Sequence, residues 1–487
     1  MRTEIRFLLN GVPHRIGNVA GDMTLLRWLR QHPHLCGTKE GCAEGDCGAC
    51  TVSIARPDSQ GRLVYRPVNA CILFLAMIDG AAVRTIEGLA DESGGLHPVQ
   101  QAMVQADASQ CGFCTPGFVM SLYTAWQNGY GLAPDEIDDT LAGNLCRCTG
   151  YRSIVAAAGK AYVMQNTSSQ RGEPTAAGLA DFDTVDDLCL GDGKVRFFAP
   201  ATASAFATFY ARHPEAVIIG GATDVGLWVT KQNRRLETLI WTGRVAAFNA
   251  MTRQDSGLLI GPAVTHQAFL EAIRNDLPEC AELLRRFSAL QVRSSGTVCG
   301  NIANGSPIGD LPPVFIALGG QVELTRKQKS RRLDLEAFFI DYGQQDRQAG
   351  EFVSAIYLPR TEAPNLRCYK ISKRFDQDIS AVMLAANIVV KDGVITEARL
   401  AFGGMAAIPK RASSAEKQLL GMPFATDSFA AAARTISDDF TPLSDMRGSA
   451  EYRMKTAQNL ILKYGLELVS GASLRLAGRG LAAVEDA

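Results

Sequence analysis

The stretch Cys42-Ala-Glu-Gly-Asp-Cys-Gly-Ala-Cys50 leaves this chain few options. It places three thiols within nine residues, at x4 and x2 spacings, and gives the intervening chain almost no bulk. Gly41, Gly45 and Gly48 permit left-handed backbone angles and let amide groups close on a small inorganic core. A fourth thiol, Cys71, follows after twenty residues. C-x4-C-x2-C with a distant fourth cysteine is a spacing that holds a [2Fe–2S] cluster. The alternatives are a zinc knot, which usually draws on two C-x2-C-type hairpins, and a disulfide pair, which belongs to small secreted chains.

Bulk properties narrow the class further. A length of 487 residues suggests about three domains. Hydrophobic content of 47% and charged content of 20% are those of an ordinary globular chain. A formal net charge of -1 gives no electrostatic case for nucleic acid or an anionic membrane. No run approaches the roughly 18 consecutive apolar residues of a membrane span. Met-Arg-Thr-Glu-Ile-Arg-Phe at the N-terminus carries neither an apolar signal core nor a twin-arginine pair, so a cytoplasmic location is expected. Nine of the thirteen cysteines precede residue 150, and that clustering argues for metal ligation over disulfides.

In chain order, Ile5, Phe7 and Leu9 alternate with polar residues, and Asn10-Gly11 predicts a two-residue hairpin turn into a return strand with Val12, His14 and Ile16. Asp22 is placed to cap a helix carrying Leu25, Leu26, Trp28 and Leu29 on one face. Strands are expected at 51–55, 62–68 and 83–86, with a helix starting at Cys71. The result is a small mixed sheet with the cysteine loop at its edge. His14, His32 and His34 read as surface or strand residues, and Cys36 as a small buried apolar one. From about residue 91 the texture is helical, at 98–106, 118–126, 134–141 and 154–163. Cys111-Gly-Phe-Cys-Thr-Pro-Gly117 leads into the second of these helices, with Pro116 in its first turn. Cys146-Arg-Cys148 opens the fourth. Four helices with thiols at two facing turns describe a bundle gripping a second cluster. The C-x2-C and C-x-C pairs lie 31 residues apart, a poor match to zinc and to the first loop's own spacing.

Gln110-Cys-Gly-Phe-Cys-Thr-Pro-Gly117 and Cys146-Arg-Cys-Thr-Gly-Tyr-Arg152 resemble the second iron–sulfur domain of the xanthine oxidase family of molybdenum hydroxylases. Glu40-Gly-Cys-Ala-Glu-Gly-Asp-Cys-Gly-Ala-Cys-Thr51 is similar to that family's first, plant-ferredoxin-like domain. The resemblance implies that Cys42, Cys47, Cys50 and Cys71 hold one [2Fe–2S] cluster. Cys111, Cys114, Cys146 and Cys148 would hold the other, nearer the molybdenum. It also implies that Gln110 touches the pterin of a molybdopterin carried by another polypeptide; a polar helix-turn residue is the plainer alternative.

Residues 166–194 are poor in apolar side chains and then acid-rich, and read as a surface linker whose lone thiol, Cys189, has no partner within it. Beyond it, Ala216-Val-Ile-Ile219 is a buried strand running into Gly220-Gly-Ala-Thr-Asp-Val-Gly226. Such a turn offers backbone N–H groups to phosphate oxygens, or is simply tight. It is not the G-x-G-x-x-G dinucleotide fingerprint. A second glycine-bearing loop at 295–310 could grip a pyrophosphate from the other side. Both loops resemble the flavin domain of the same family, of vanillyl-alcohol-oxidase type. That resemblance implies FAD contacts at Ile218, Ile219, Gly220, Gly221, Ala222, Thr223, Asp224 and Val225. It adds Thr297, Val298, Cys299, Gly300 and Asn301, with Phe287, Asp310, Val353 and Lys370 close by. Phe338, Phe339 and Tyr342 resemble a segment near the flavin's nicotinamide face. Gly343 stands where relatives often carry Arg, and Cys299 where glycine is frequent. Two strands at 381–390 and 394–402 join through the hairpin signal Lys391-Asp-Gly393. Helices follow, the last near 450–469, and residues 476–487 read as a frayed tail.

The expected architecture is multidomain α+β. It comprises a ferredoxin-like β-grasp at 1–90, a four-helix [2Fe–2S] bundle at 91–165, a linker at 166–194, an FAD-binding domain at 195–365 and an α+β C-terminal flavoprotein domain at 366–475. By resemblance, this is an electron-transfer subunit with two [2Fe–2S] clusters and one FAD. It would pass electrons from a partner's molybdenum through the Cys111-type and then the Cys42-type cluster to FAD and NAD+, as xanthine or hypoxanthine is hydroxylated toward urate. Catalytic hydroxylation would reside on a molybdopterin-binding large subunit, in a heterotetramer of two small and two large chains. The same module could serve an aldehyde or N-heterocycle hydroxylase. A zinc-binding interaction protein is the reading from another class.

Overall fold

The computed structural model describes residues 1–472 except 59, 92, 130–133, 165–173, 183–184, 255 and 360–362. The expected tail at 476–487 and residues 166–173 of the expected linker lie outside the described residues. Contacts divide the chain into two units, residues 1–247 with 289–296, and residues 248–288 with 297–487. Among the described residues no helix is long and apolar enough to cross a membrane.

The first unit opens with β1 (Glu4–Leu9) and β2 (Val12–Gly17), antiparallel about Asn10 and Gly11, both left-handed at φ 51° and 83°. Helix α1 (Leu25–Leu29) buries Leu25, Leu26, Trp28 and Leu29 as its spacing predicts. Its cap is Thr24, whose hydroxyl accepts from the Arg27 N–H, and not Asp22. Strands β3 (Thr51–Pro57), β4 (Leu63–Asn69) and β5 (Ala82–Arg84) complete a mixed sheet of order β2-β1-β5-β3-β4, with β1 and β5 parallel. The helix expected from Cys71 is instead a turn at 71–73, followed by a 3-10 turn at Leu75–Ile78. Tertiary contacts win there, because the Leu73 carbonyl accepts from Leu25 and Phe74 bridges to Thr24. Cys36 is half-buried, with its thiol on the His32 carbonyl, so it is not the core residue expected.

Helices α2 (Pro98–Gln105), α3 (Thr115–Gln127), α4 (Pro134–Leu141) and α5 (Arg152–Val163) form the bundle around Val99, Met103, Phe118, Tyr123 and Ile154. The stretch expected to be a linker contains structure, in α6 (Ala176–Ala180) and β6 (Leu188–Gly191). Strand β6 pairs with β7 (Arg196–Ala199), and the Arg2 N–H and C=O bond the backbones of Asp187 and Cys189. After α7 (Ala203–Arg212), β8 (Val217–Ile219), α8 (Val225–Thr230) and β9 (Thr238–Trp241) complete a second sheet, β6-β7-β9-β8. Its Leu188, Phe197, Ile219 and Leu239 share one core with Phe7, Leu26 and Phe74.

The second unit has a five-stranded antiparallel sheet of β10 (Met251–Gln254), β11 (Gly257–Ile260), β12 (Gln321–Arg326), β13 (Lys329–Asp334) and β16 (Phe352–Pro359), in the order β10-β11-β16-β12-β13. Helices α9 (His266–Ile273), α10 (Pro278–Arg286), α11 (Val298–Asn304) and α12 (Leu311–Ala317) pack in the same core. The glycine-bearing loop at 295–310 is therefore half helix, capped by Thr297 at its start and by left-handed Gly305 at its end. Strands β14 (Phe339–Asp341) and β15 (Gln344–Gln345) make a hairpin. Strands β17 (Arg367–Ile371), β18 (Val382–Lys391), β19 (Val394–Gly403) and β20 (Lys410–Arg411) form the last sheet. Asp392 and Gly393 turn β18 into β19 with φ 51° and 75°, the left-handed pair their sequence predicts. The final helix, Ala450–Ser470, buries Leu460, Ile461 and Tyr464 against that sheet's core.

Candidate cofactor sites

The loop before β3 curls because Gly45 and Gly48 take φ +79° and +68°. Gly41 is needed for a different reason: a Cβ there would stand 2.7 Å from the Cys47 sulfur. This curl turns the N–H groups of Glu44, Asp46 and Cys47 onto the Cys42 sulfur, each at 3.4 Å. Cys47 and then Cys71 donate toward the same sulfur and hold Cys42 well below the usual thiol range. The partners shift the other way: Cys42 and then burial raise Cys47, while Cys42 and then Cys50 raise Cys71. The four thiols thus form a chain of neighbours, Cys47–Cys42–Cys71–Cys50. Asn69, unremarked in the sequence, straps the loop by donating to the Gly45 carbonyl at 2.8 Å while facing the Cys50 thiol at 3.7 Å.

The second quartet lies at two turns, before α3 and before α5. Cys114 neighbours Cys146, and burial followed by that contact pushes Cys114 up to about 12. Cys111 neighbours Cys148 and raises it. Cys111 and Cys148 are exposed, and Cys114 and Cys146 half-buried. Phe113, Leu145 and Tyr151, each within three residues of one of these cysteines, are exposed, and Gln110 is exposed on the turn beside Cys111. Among the described residues no group of three His, Cys, Asp or Glu has the geometry to hold a single metal ion. Adjacent thiols with backbone N–H groups aimed at sulfur suit a cluster, where two irons share four thiolates.

In the first unit β8 delivers Ile218 and Ile219 to the turn Gly220–Asp224, where Ala222 is left-handed at φ 61° and Val225 starts α8. A Cβ on Gly221 would lie 1.9 Å from the Ser295 carbonyl, so only glycine fits. Thr223 is half-buried and Asp224 exposed. Helix α8 is seated on the first thiol loop. Its Thr230 hydroxyl donates to the Ala43 carbonyl at 2.7 Å, and Lys231 to that of Cys42 at 3.1 Å.

The second unit holds the remaining expected flavin contacts. Phe287 ends α10 with its ring 4.7 Å from that of His266. Thr297 and Val298 are buried at the start of α11, and the Thr297 hydroxyl accepts from Gly300. Asn301 Oδ1 is buried without a partner, an acceptor left open in a segment expected to meet a ligand. The Cys299 side chain lies in the core against the Ile260 and Gly261 carbonyls. Val353 is likewise a core side chain on β16. Lys370 Nζ bonds Asp310 Oδ2 at 2.6 Å and Ser380 Oγ at 3.0 Å, all buried; Ser380 carried no sequence signal. Phe338 and Phe339 are core residues. Tyr342 is 71% exposed at the β14–β15 tip, where Gly343 is left-handed at φ +69°.

Four known families match in succession. These are a 2Fe-2S iron-sulfur cluster binding domain at 7–75 and a [2Fe-2S] binding domain at 85–159. An FAD binding domain in molybdopterin dehydrogenase matches 193–361, and a CO dehydrogenase flavoprotein C-terminal domain matches 367–468. Xanthine dehydrogenase 1 of Arabidopsis thaliana is 29% identical over 95% of this chain and 40% of its own length. Xanthine dehydrogenase/oxidase of Rattus norvegicus is 32% identical over 83% of this chain and 34% of its own length.

The chain belongs to the xanthine oxidase family.

It has two [2Fe–2S] binding domains and an FAD-binding domain, and it spans about two fifths of these relatives' length. Just over half of the chain shares its fold with solved structures. Quinoline 2-oxidoreductase from Pseudomonas putida 86 superposes with TM-score 0.52 at 22% identity, over 56% of this chain and 96% of that one. Carbon monoxide dehydrogenase from Hydrogenophaga pseudoflava gives 0.52 at 23%, over 55% and 94%.

Proposed function

We propose that this chain is the electron-transfer subunit of an NAD+-dependent xanthine dehydrogenase. In this reading Cys42, Cys47, Cys50 and Cys71 hold one cluster, and Cys111, Cys114, Cys146 and Cys148 the other. FAD lies against residues 218–225 and 297–301, with Phe287, Asp310, Val353, Lys370 and Tyr342 near it. When bound, the clusters supply one-electron steps and the flavin a two-electron exchange with NAD+. The chain's own residues hold and tune them. Backbone N–H groups at Cys42 favour its thiolate, glycines admit the close approach of loop and cofactor, and the buried Lys370–Asp310 pair fixes charge beside the flavin segment.

The observation that carries the reading is the second quartet, complete yet partly open, with Cys111 and Cys148 exposed and the apolar Phe113, Leu145 and Tyr151 exposed next to its cysteines in the chain. A partly open redox site with exposed apolar side chains next to its ligands suits docking to another polypeptide. That partner would be a molybdopterin-binding large subunit contacting Gln110, two copies of each chain forming the assembly in the cytoplasm. Names of relatives favour xanthine as the partner's substrate; the quinoline 2-oxidoreductase likeness keeps an N-heterocycle or aldehyde hydroxylase as the second reading.

Separable half-reactions test this. The isolated, cofactor-loaded chain should pass electrons from NADH to an acceptor dye and show no xanthine oxidation. Adding the native large subunit should restore xanthine-to-NAD+ turnover. Cys148→Ser should abolish the restored activity and spare the NADH–dye reaction. Xanthine oxidation by the isolated chain refutes the division of labour. Turnover of only another heterocycle or an aldehyde by the restored complex selects the second reading.

A further inference from the structure

One hydrogen bond joins the two thiol quartets. The N–H of Leu145, the residue before Cys146, donates to the carbonyl of Cys47 at 3.0 Å. Its surroundings are built for close approach. A Cβ on Gly48 would stand 2.1 Å from the Gly143 carbonyl, and one on Gly117 would stand 2.2 Å from the Gly48 carbonyl. Beside it lies a buried polar network, in which Gln291 Oε1 is left without a partner. Asn144 Nδ2 donates to the Gly48 carbonyl at 3.0 Å, and Ser121 Oγ to Asn144 Oδ1 at 2.7 Å. Gln291, 0% exposed, sends Nε2 to Ser121 Oγ at 3.0 Å, Asn144 Oδ1 at 3.1 Å and Thr51 Oγ1 at 3.3 Å. Gln291 lies on the helical turn Leu290–Arg293, within the stretch matched as an FAD-binding domain. Three separate matches thus meet at one amide.

A buried polar network is costly beside apolar packing of the same volume, and its return is a fixed geometry. Two thiol loops could be packed together by leucine and valine, with freedom to slide. Here each loop is tied through a specific donor and acceptor, beside the one backbone hydrogen bond that shortens the covalent route from Cys47 to Cys146.

Resting on the two-cluster reading above, we infer that the Leu145 N–H···O=C Cys47 hydrogen bond is the electron bridge between the clusters, and that Asn144 and Gln291 are positioning residues that hold it closed. One electron crosses per event. The Cys111-type cluster is oxidised by one electron, the Cys42-type cluster is reduced by one, and no bond forms or breaks. A residue of the flavin-domain sequence thereby sets transfer between two clusters it does not ligate.

The test uses the full chain loaded with both clusters. Intercluster transfer is timed after flash reduction, and the magnetic interaction of the two reduced clusters is read by electron paramagnetic resonance. Asn144→Leu and Gln291→Met should each slow transfer, by up to roughly fivefold, the largest population cost of losing about one buried hydrogen bond. Both should weaken the spin–spin splitting while each cluster keeps its own g values and potential. Gly159→Ala, in α5 with open space around it, should change neither. Gln291→Met carries the test if Asn144→Leu does not fold, and Thr51→Val, which removes an acceptor of the same amide, if neither does. Unchanged transfer and splitting with both signals present overturns the bridge. A wild-type chain that shows fewer than two cluster signals overturns the two-cluster reading itself.

Discussion

Acid should loosen the helical thiol domain through one histidine. His97 caps α2, and its Nδ1 accepts from the Val99 N–H at 3.1 Å. The neutral ring therefore carries its proton on Nε2, which is buried without a partner beside Trp126, 4.8 Å away between ring centres. Burial, and then the positive charge of Arg84, lower this histidine from its ordinary 6.5 to about 4. Charging it would also convert the accepting Nδ1 into a donor and break the cap. Because the folded value lies below the unfolded one, the stability His97 contributes is complete above pH 6.5 and drains as pH falls toward 4. At about 1.4 kcal/mol per pH unit the full loss is roughly 3 kcal/mol. About 2 kcal/mol of it is gone by pH 5. Amide hydrogen exchange of α2 and α3 in the full chain reads local opening directly. His97→Asn keeps a good capping side chain without a titrating group, so its opening free energy should fall less between pH 7.5 and 5, by about 2 kcal/mol. Acid lability of the clusters is common to both proteins and cancels in the difference. Parallel pH profiles for wild type and variant would refute the reasoning.

Two further outcomes follow from the same geometry. Cys111→Ser should remove one of two reduced [2Fe–2S] resonance signals and leave that of the Cys42 quartet; loss of both from a chain with a folded flavin domain would contradict independent sites. Lys370→Met leaves the Asp310 carboxylate buried and unpaired, and should cost roughly 3–5 kcal/mol in urea unfolding of the flavin-free protein, whereas Lys370→Met with Asp310→Leu should recover most of it.

Some of this molecule is written locally. The cysteine spacings, the Asn10-Gly11 and Asp392-Gly393 turns, the alternation of β1 and the apolar face of α1 each act over a few residues, where chain stereochemistry alone limits the choices. No distant partner is needed to specify them. The misreadings arise where one is. Asp22 and Thr24 are both sound caps, and the choice rests on Thr24 bridging to Phe74 across the sheet. Residues 185–191 look like linker because β6 is a strand only beside β7 and Arg2. The half-helical nature of 295–310 was legible, since Thr297 and Gly305 are ordinary start and stop residues.

Gln291 marks the boundary most clearly. Nothing in Ala289-Leu-Gln-Val-Arg293 distinguishes it from a solvated glutamine on a short helix. Its burial among Thr51, Ser121 and Asn144 depends on three segments arriving together. Ligand type and turn geometry are properties of neighbouring atoms along the chain, so spacing encodes them. Which polar group is desolvated, and which loop meets which, is set by contacts hundreds of residues apart, and only the folded chain supplies those.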